Sequence, residues 1–138
     1  MTHALGFGSR KLAQFHVKRR KAPEGAFQAA LVRDLRAVLT PATFMTHFPA
    51  GGGGPIRGAL LKLRGLVPGV PDLLFIHNGQ AFWMELKPSK RRKESSNQIV
   101  CHAALKAAGS DVVTVRNLDE ALTALMVWKI PLRMRQAA

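Results

Sequence analysis

Two acids, Asp72 and Glu85, and a lysine, Lys87, fall within "PDLLFIHNGQAFWMELK", residues 71–87 of a chain that carries 21 Lys and Arg against 8 Asp and Glu. Between the acids, Asn78-Gly79 separates two apolar runs, the strongest short-range signal for a two-residue type I′ hairpin. In such a hairpin His77 faces Gln80, and continuing the register outward brings Asp72 across from Glu85, with Cα atoms roughly 4.5 to 5.5 Å apart. Like charges opposed on a sheet are destabilising. A shared proton would relieve the repulsion; a divalent cation suits it better, because hard oxygen ligands from adjacent strands are what Mg²⁺ or Mn²⁺ prefers. Lys87 follows Glu85 by two and shares its face of the strand. Asp, Glu and Lys together suit metal-assisted phosphodiester hydrolysis: the carboxylates hold a metal that polarises the phosphoryl group and activates water, and the lysine positions that water or neutralises developing charge. A plainer reading makes Asp72 a strand-entry cap after Pro71 and Glu85–Lys87 a surface ion pair. Spacing alone does not choose between them.

The elements that must position these residues can be read on either side of the hairpin. Pro23 and Glu24 suit the first turn of a helix whose apolar stripe is Phe27, Ala30, Leu31, Leu35 and Val38, stopping near Thr40-Pro41. "TFMTHFPA" (43–50) predicts a strand with Phe44, Thr46 and Phe48 on one face and Met45 and His47 on the other. "GGGGP" (51–55) is a loop without the Gly-Lys-Ser/Thr ending of a nucleotide-binding P-loop. "PIRGALLKLRGL" predicts a short helix exposing Arg57, Lys62 and Arg64, and "VPGVP" breaks the chain before the hairpin. Ser95 or Ser96 caps a further helix running to about Ala108 and closed by Gly109. "DVVTV" (111–115) is a buried strand by composition, and "NLDEALTALMVW" a last helix capped by Asn117 or Asp119. The order helix, strand, short helix, strand, strand, helix, strand, helix predicts an α/β fold, a mixed sheet with helices on its faces.

At 138 residues the chain is expected to form a single domain, with residues 1–22 as a basic N-terminal arm, 23–130 as the folded domain and 131–138 as a frayed basic tail. The net charge of +13 favours a polyanionic partner, nucleic acid before an anionic membrane, because no basic amphipathic helix or lipidation signal accompanies it. Lys18, Arg19, Arg20 and Lys21 in the arm, and Lys90, Arg91, Arg92 and Lys93 just after the second strand of the hairpin, are the expected phosphate contacts. The single cysteine, Cys101, permits no intrachain disulfide and reads as a buried thiol in a reducing compartment. With no secretory h-region and no apolar stretch long enough to span a bilayer, a cytoplasmic protein is expected. The five histidines lack zinc-ligand spacing.

"PD" at 71–72 and "ELK" at 85–87 resemble the PD-(D/E)xK nuclease superfamily. More closely, "GLVPGVPDLLF" with "WMELKP", then "SNQ", "AALKAAG", "VVTV" and "LDEAL", and "PEGAFQAAL" upstream, resemble its VRR-NUC family over roughly residues 23 to 125. The resemblance implies a restriction-endonuclease-like mixed β-sheet flanked by helices, and a Mg²⁺- or Mn²⁺-dependent DNA nuclease. Asp72 and Glu85 match the metal-binding acids, Lys87 the catalytic lysine, and Glu24 the acid that the first helix contributes, here through water. The Leu86 carbonyl matches a further metal ligand, and Gln98 a helical glutamine near the phosphates. His102, on the same helical face as Gln98, matches only loosely an aromatic position and reads more readily as a partly buried polar residue than as a catalytic one.

In family terms the chain looks like a stand-alone member from a bacterium or phage, of the kind that acts on branched DNA such as Holliday junctions. A junction-resolving enzyme is expected to be a homodimer, since two symmetry-related strands are cut. The last helix, with Leu122, Leu125, Met126 and Trp128, is one candidate surface, and core packing accounts for the same stripe. Two rivals remain open: a non-enzymatic nucleic-acid-binding module, which leaves the opposed acids unexplained, and a restriction-like or exonuclease enzyme on the same scaffold.

Overall fold

The computed structural model describes residues 23–49, 54–89 and 92–133. The chain runs α1 (Pro23–Val38), β1 (Thr43–His47), α2 (Gly54–Leu63), β2 (Leu73–His77), β3 (Gln80–Leu86), α3 (Ser96–Ala107), β4 (Asp111–Val115) and α4 (Leu118–Val127). This is the expected order of elements in a mixed α/β sheet flanked by helices. The arm at 1–22, the middle of the glycine loop, Lys90, Arg91 and residues 134–138 lie outside the described residues.

Strand order is β1-β2-β3-β4, with β1, β2 and β3 antiparallel and β4 parallel to β3. The tight turn is a hairpin because Asn78 and Gly79 both take positive φ, 49° and 72°, as a type I′ turn requires. Its register pairs His77 with Gln80 and Leu73 with Met84. The ladder stops there, so Asp72 sits one residue beyond the paired strand rather than in a strand pair with Glu85. β4 can lie parallel to β3 because α3 supplies the crossover between them.

Alternation along the strands sends Leu73 and Phe75 of β2, Phe82, Met84 and Leu86 of β3 and Val115 of β4 into one core. Leu31 and Leu35 of α1 and Ala121, Ala124 and Leu125 of α4 close it, with Trp128 stacked on Phe82 at 4.9 Å between ring centroids. Leu125 and Trp128 are therefore core residues, while Met126 remains exposed on the other side of α4. The opposite face of the sheet is covered by α3, which buries Cys101 as a free thiol and His102 beside β4.

Two expectations are corrected, the end of β1 and the fraying of the tail. β1 ends at His47 instead of continuing to residue 50, because Pro49 cannot donate to a ladder; Phe48, just past the strand, meets Trp83 at 5.5 Å. Within β1 it is Met45 that packs on the core, and Phe44 is exposed. The chain does not fray at Pro131: Leu132 bridges Leu39, and Arg133 donates to the Val38 and Leu39 carbonyls, which the end of α1 leaves without intrahelical partners. α2 buries no residue, and Arg57, Lys62 and Arg64 are not buried, as expected. No helix among the described residues is long and apolar enough to cross a membrane.

Candidate active site

β3 carries Glu85 and Lys87 out on the face that α3 covers, and the hairpin register brings Asp72 to the same end. Asp72 is fixed by a backbone donor: its Oδ2 accepts the Leu86 amide at 2.8 Å. The Asp72 carbonyl in turn accepts from the Phe48 amide at 3.0 Å, tying the segment to β1. Glu85 is buried, 3% exposed, and its Oε1 lies 3.3 Å from Lys87 Nζ.

Gln98 joins these groups. Its Nε2 donates to Glu85 Oε1 at 2.5 Å, and its Oε1 accepts from Lys87 Nζ at 2.9 Å and from the Ser95 amide at 2.9 Å. The last bond belongs to a capping box in which Ser95 Oγ accepts the Gln98 amide. One side chain thus starts α3, orients the lysine and touches the acid, so the site is locked to the first turn of a helix rather than to a loop.

Gly69 sets where that turn sits. Its φ is +83°, and a Cβ there would overlap the Asn97 carbonyl and the Gln98 amide. The loop before Asp72 therefore lies against the backbone of α3 with no room for a methyl group. Gly69→Ala is expected to cost about 2 to 4 kcal/mol, from both the left-handed backbone and the overlap. Gly79→Ala, also at positive φ but with nothing within 4 Å, should cost about 1 kcal/mol. Denaturant midpoints of the two variants measure the difference; equal losses would show that Gly69 matters only through its φ.

Asp72, Glu85, Lys87 and Gln98 line one cleft of about 230 Å³, with Gln28 of α1 and Arg92 on its walls. Burial raises the Glu85 carboxyl to about 7, with the Asp72 charge adding to the rise and Lys87 opposing it. Burial also raises Asp72 above the ordinary carboxylate range, against the Leu86 amide bond and the charge of Lys87. Glu85 Oε2 is buried and accepts no hydrogen bond among the described residues. Two desolvated carboxylates with an orphaned oxygen are what a hard divalent cation would satisfy.

The acids are a pair: no group of three or more His, Cys, Asp or Glu able to hold a metal converges among the described residues. Glu24 has its backbone in α1, one turn before Gln28, but its side chain lies outside the described groups, as do Lys18, Arg19, Arg20, Lys21, Lys90 and Arg91. Lys93 is exposed beyond the cleft. His102 is brought near without joining: its Nδ1 lies 3.2 Å from Glu94 Oε1, which also accepts from Thr114 Oγ1 at 3.0 Å. Burial lowers the His102 pKa, with the Glu94 charge opposing the shift.

Sequence reasoning missed Gln28 and Glu94. Gln28 Nε2 lies 2.9 Å from His47 Nδ1, within hydrogen-bond distance, and the signal for it was its place one helical turn after Glu24. Glu94 gave no such signal, since it ends a run of basic residues and its partners, His102 on α3 and Thr114 on β4, are set by the packing of that helix beside the strand.

Among solved structures, one described as a "VRR_NUC domain protein" is similar with a TM-score of 0.59 and 16% identity, covering 78% of this chain and 89% of that one. Another, a "VRR_NUC domain", has a TM-score of 0.49 and 20% identity over 75% of this chain and 94% of that one. The first likeness is one of fold. No family model matches the sequence, and no curated protein does.

Proposed function

We propose that the chain is a divalent-metal-dependent DNA endonuclease of PD-(D/E)xK type that selects branched DNA. The observation that carries this reading is the cleft in which Asp72 and a buried Glu85 with an orphaned oxygen meet Lys87, itself held by Gln98. Asp72 and Glu85 would hold Mg²⁺ or Mn²⁺, with the Leu86 carbonyl as a further ligand and Glu24 through water. Bound there, the ion supplies a Lewis acid for the phosphoryl group and lowers the pKa of a water.

The chain's own residues do the rest. Lys87 presents an ammonium beside the acids, where it holds the nucleophilic water or meets charge developing on the phosphate. Gln98 accepts from that ammonium while donating to Glu85, so little reorganisation is needed when the phosphate arrives. Arg92 stands on the wall of the cleft, and the basic runs at 18–21 and 90–93 would contact phosphates without reading bases.

The test is cleavage of a labelled four-way junction, a matched linear duplex and a single strand with Mg²⁺ or Mn²⁺, beside a chelator control. Paired, symmetric, metal-dependent cuts in the junction are expected, together with a homodimer in solution, since a two-fold pair of sites matches the two strands cut. Cutting of all three DNAs would keep the site and remove the branch selectivity. Binding of every DNA with no cleavage under either metal would replace the proposal by the non-enzymatic binding module.

A further inference from the structure

Because β3 and β4 are parallel, with Leu86 opposite Val115, the residues that follow the two strands emerge side by side at one edge. Lys87 follows β3 and Arg116 follows β4. A second groove of about 410 Å³ opens at this edge. It shares Lys87 and Arg92 with the catalytic cleft and adds Lys93, Arg116, Glu94 and the apolar side of Ile99. The two spaces are thus neighbours, with Lys87 and Arg92 lining both.

Glu94, the carboxylate on its wall, is engaged by Thr114 and His102. Arg116 is held from behind: its Nη1 donates to the Ser89 carbonyl at 3.3 Å, and its backbone amide donates to Glu120 Oε2 at 2.7 Å. A guanidinium has five N–H donors in a fixed fork, and the Ser89 bond uses one. A positioned arginine beside three further cations is a site for a phosphate's paired oxygens.

We infer that this groove is a second phosphate site, which takes the phosphodiester next to the scissile one on the same DNA strand. The strand then leaves the cleft over the end of β4, past Arg116, rather than back along α1. The inference rests on the nuclease reading above and adds the path of the substrate to it.

A phosphate-by-phosphate scan tests it. Asp72→Asn protein, expected to bind without cutting, is titrated in chelator with labelled oligonucleotides, each carrying one uncharged methylphosphonate at a different position around the cut mapped with the unchanged enzyme. Neutralising the phosphate beside the cut is expected to weaken binding about ten-fold. In Asp72→Asn protein also carrying Arg116→Ala, the same neutralisation should cost clearly less, and the slope of log affinity against log salt should fall by about 0.7 to 0.9. Lys93→Gln, which leaves the Arg116–Ser89 bond in place, should reduce the same positional penalty and so guards against an indirect effect of Arg116→Ala on the loop. Identical positional profiles for all three proteins would overturn the groove as a phosphate site. A failure of the unchanged enzyme to cut any DNA is a different result, which brings down the nuclease reading beneath it.

Discussion

Replacing Asp72 by Asn, or Glu85 by Gln, is expected to lower the single-turnover rate of DNA cleavage by about a thousand-fold or more while leaving DNA affinity in chelator equal or slightly tighter. Each change removes one negative charge and almost no volume. In Asp72→Asn the amide oxygen could still accept from the Leu86 backbone, and in Glu85→Gln the amide oxygen could still accept from Gln98, so the hairpin and the start of α3 should survive. What disappears is the hard anionic oxygen pair. Tighter binding in chelator follows because either change removes repulsion between a carboxylate and a phosphate. Cleavage rates, anisotropy titrations and melting curves of the three proteins separate these effects. Retention of activity within ten-fold by either variant would mean that the metal, if one is used, is held elsewhere.

The hairpin was legible because its turn chemistry and strand periodicity agree: Asn78-Gly79 fixes the register, and the period of two then puts Glu85 and Lys87 on one face. The sequence could not show where the ladder stops. Asp72 leaves it because its carboxylate takes the Leu86 amide, a choice made by a side chain and not by strand propensity. Gln98 could be placed on a helix near the site, but its three simultaneous bonds depend on how closely Gly69 lets α3 approach. Arg116 was hidden for a related reason. Only the parallel pairing of β3 with β4 brings its side chain beside Lys87, and pairing partners far apart in sequence leave no local pattern. One general signal could have found it: in α/β sheets, binding residues gather beyond the carboxyl ends of parallel strands, and Arg116 is the first residue past β4.

The same carboxylates should make the metal-free protein less stable as pH rises. Glu85 titrates at about 7 in the folded chain against an ordinary 4.5, so between these values the folded state binds more protons than the unfolded one and stability falls with increasing pH. At about 1.4 kcal/mol per pH unit, the loss reaches on the order of 3 kcal/mol above pH 7 and is absent below pH 4.5. Asp72 acts in the same sense from just above its ordinary 3.8, whereas His102, held below 6.5, acts in the opposite sense, because its unfolded form binds the extra proton. Comparison with Glu85→Gln keeps His102 common to both proteins and isolates the carboxyl. At pH 8 in chelator, Glu85→Gln should melt about 10 °C above the unchanged protein. Saturating Mg²⁺ should reverse the order. An ion at about a thousand times its dissociation constant adds about 4.1 kcal/mol to the form that binds it, more than the loss of about 3 kcal/mol, and only the protein with both carboxylates offers that site. At pH 5 the metal effect should shrink, since protons compete for the same oxygens. Melting curves at the two pH values, with and without Mg²⁺, would show the crossover. If Glu85→Gln remained the more stable protein in metal at pH 8, the buried acids would be a source of strain that no cation relieves, and the proposed chemistry would lose its physical basis.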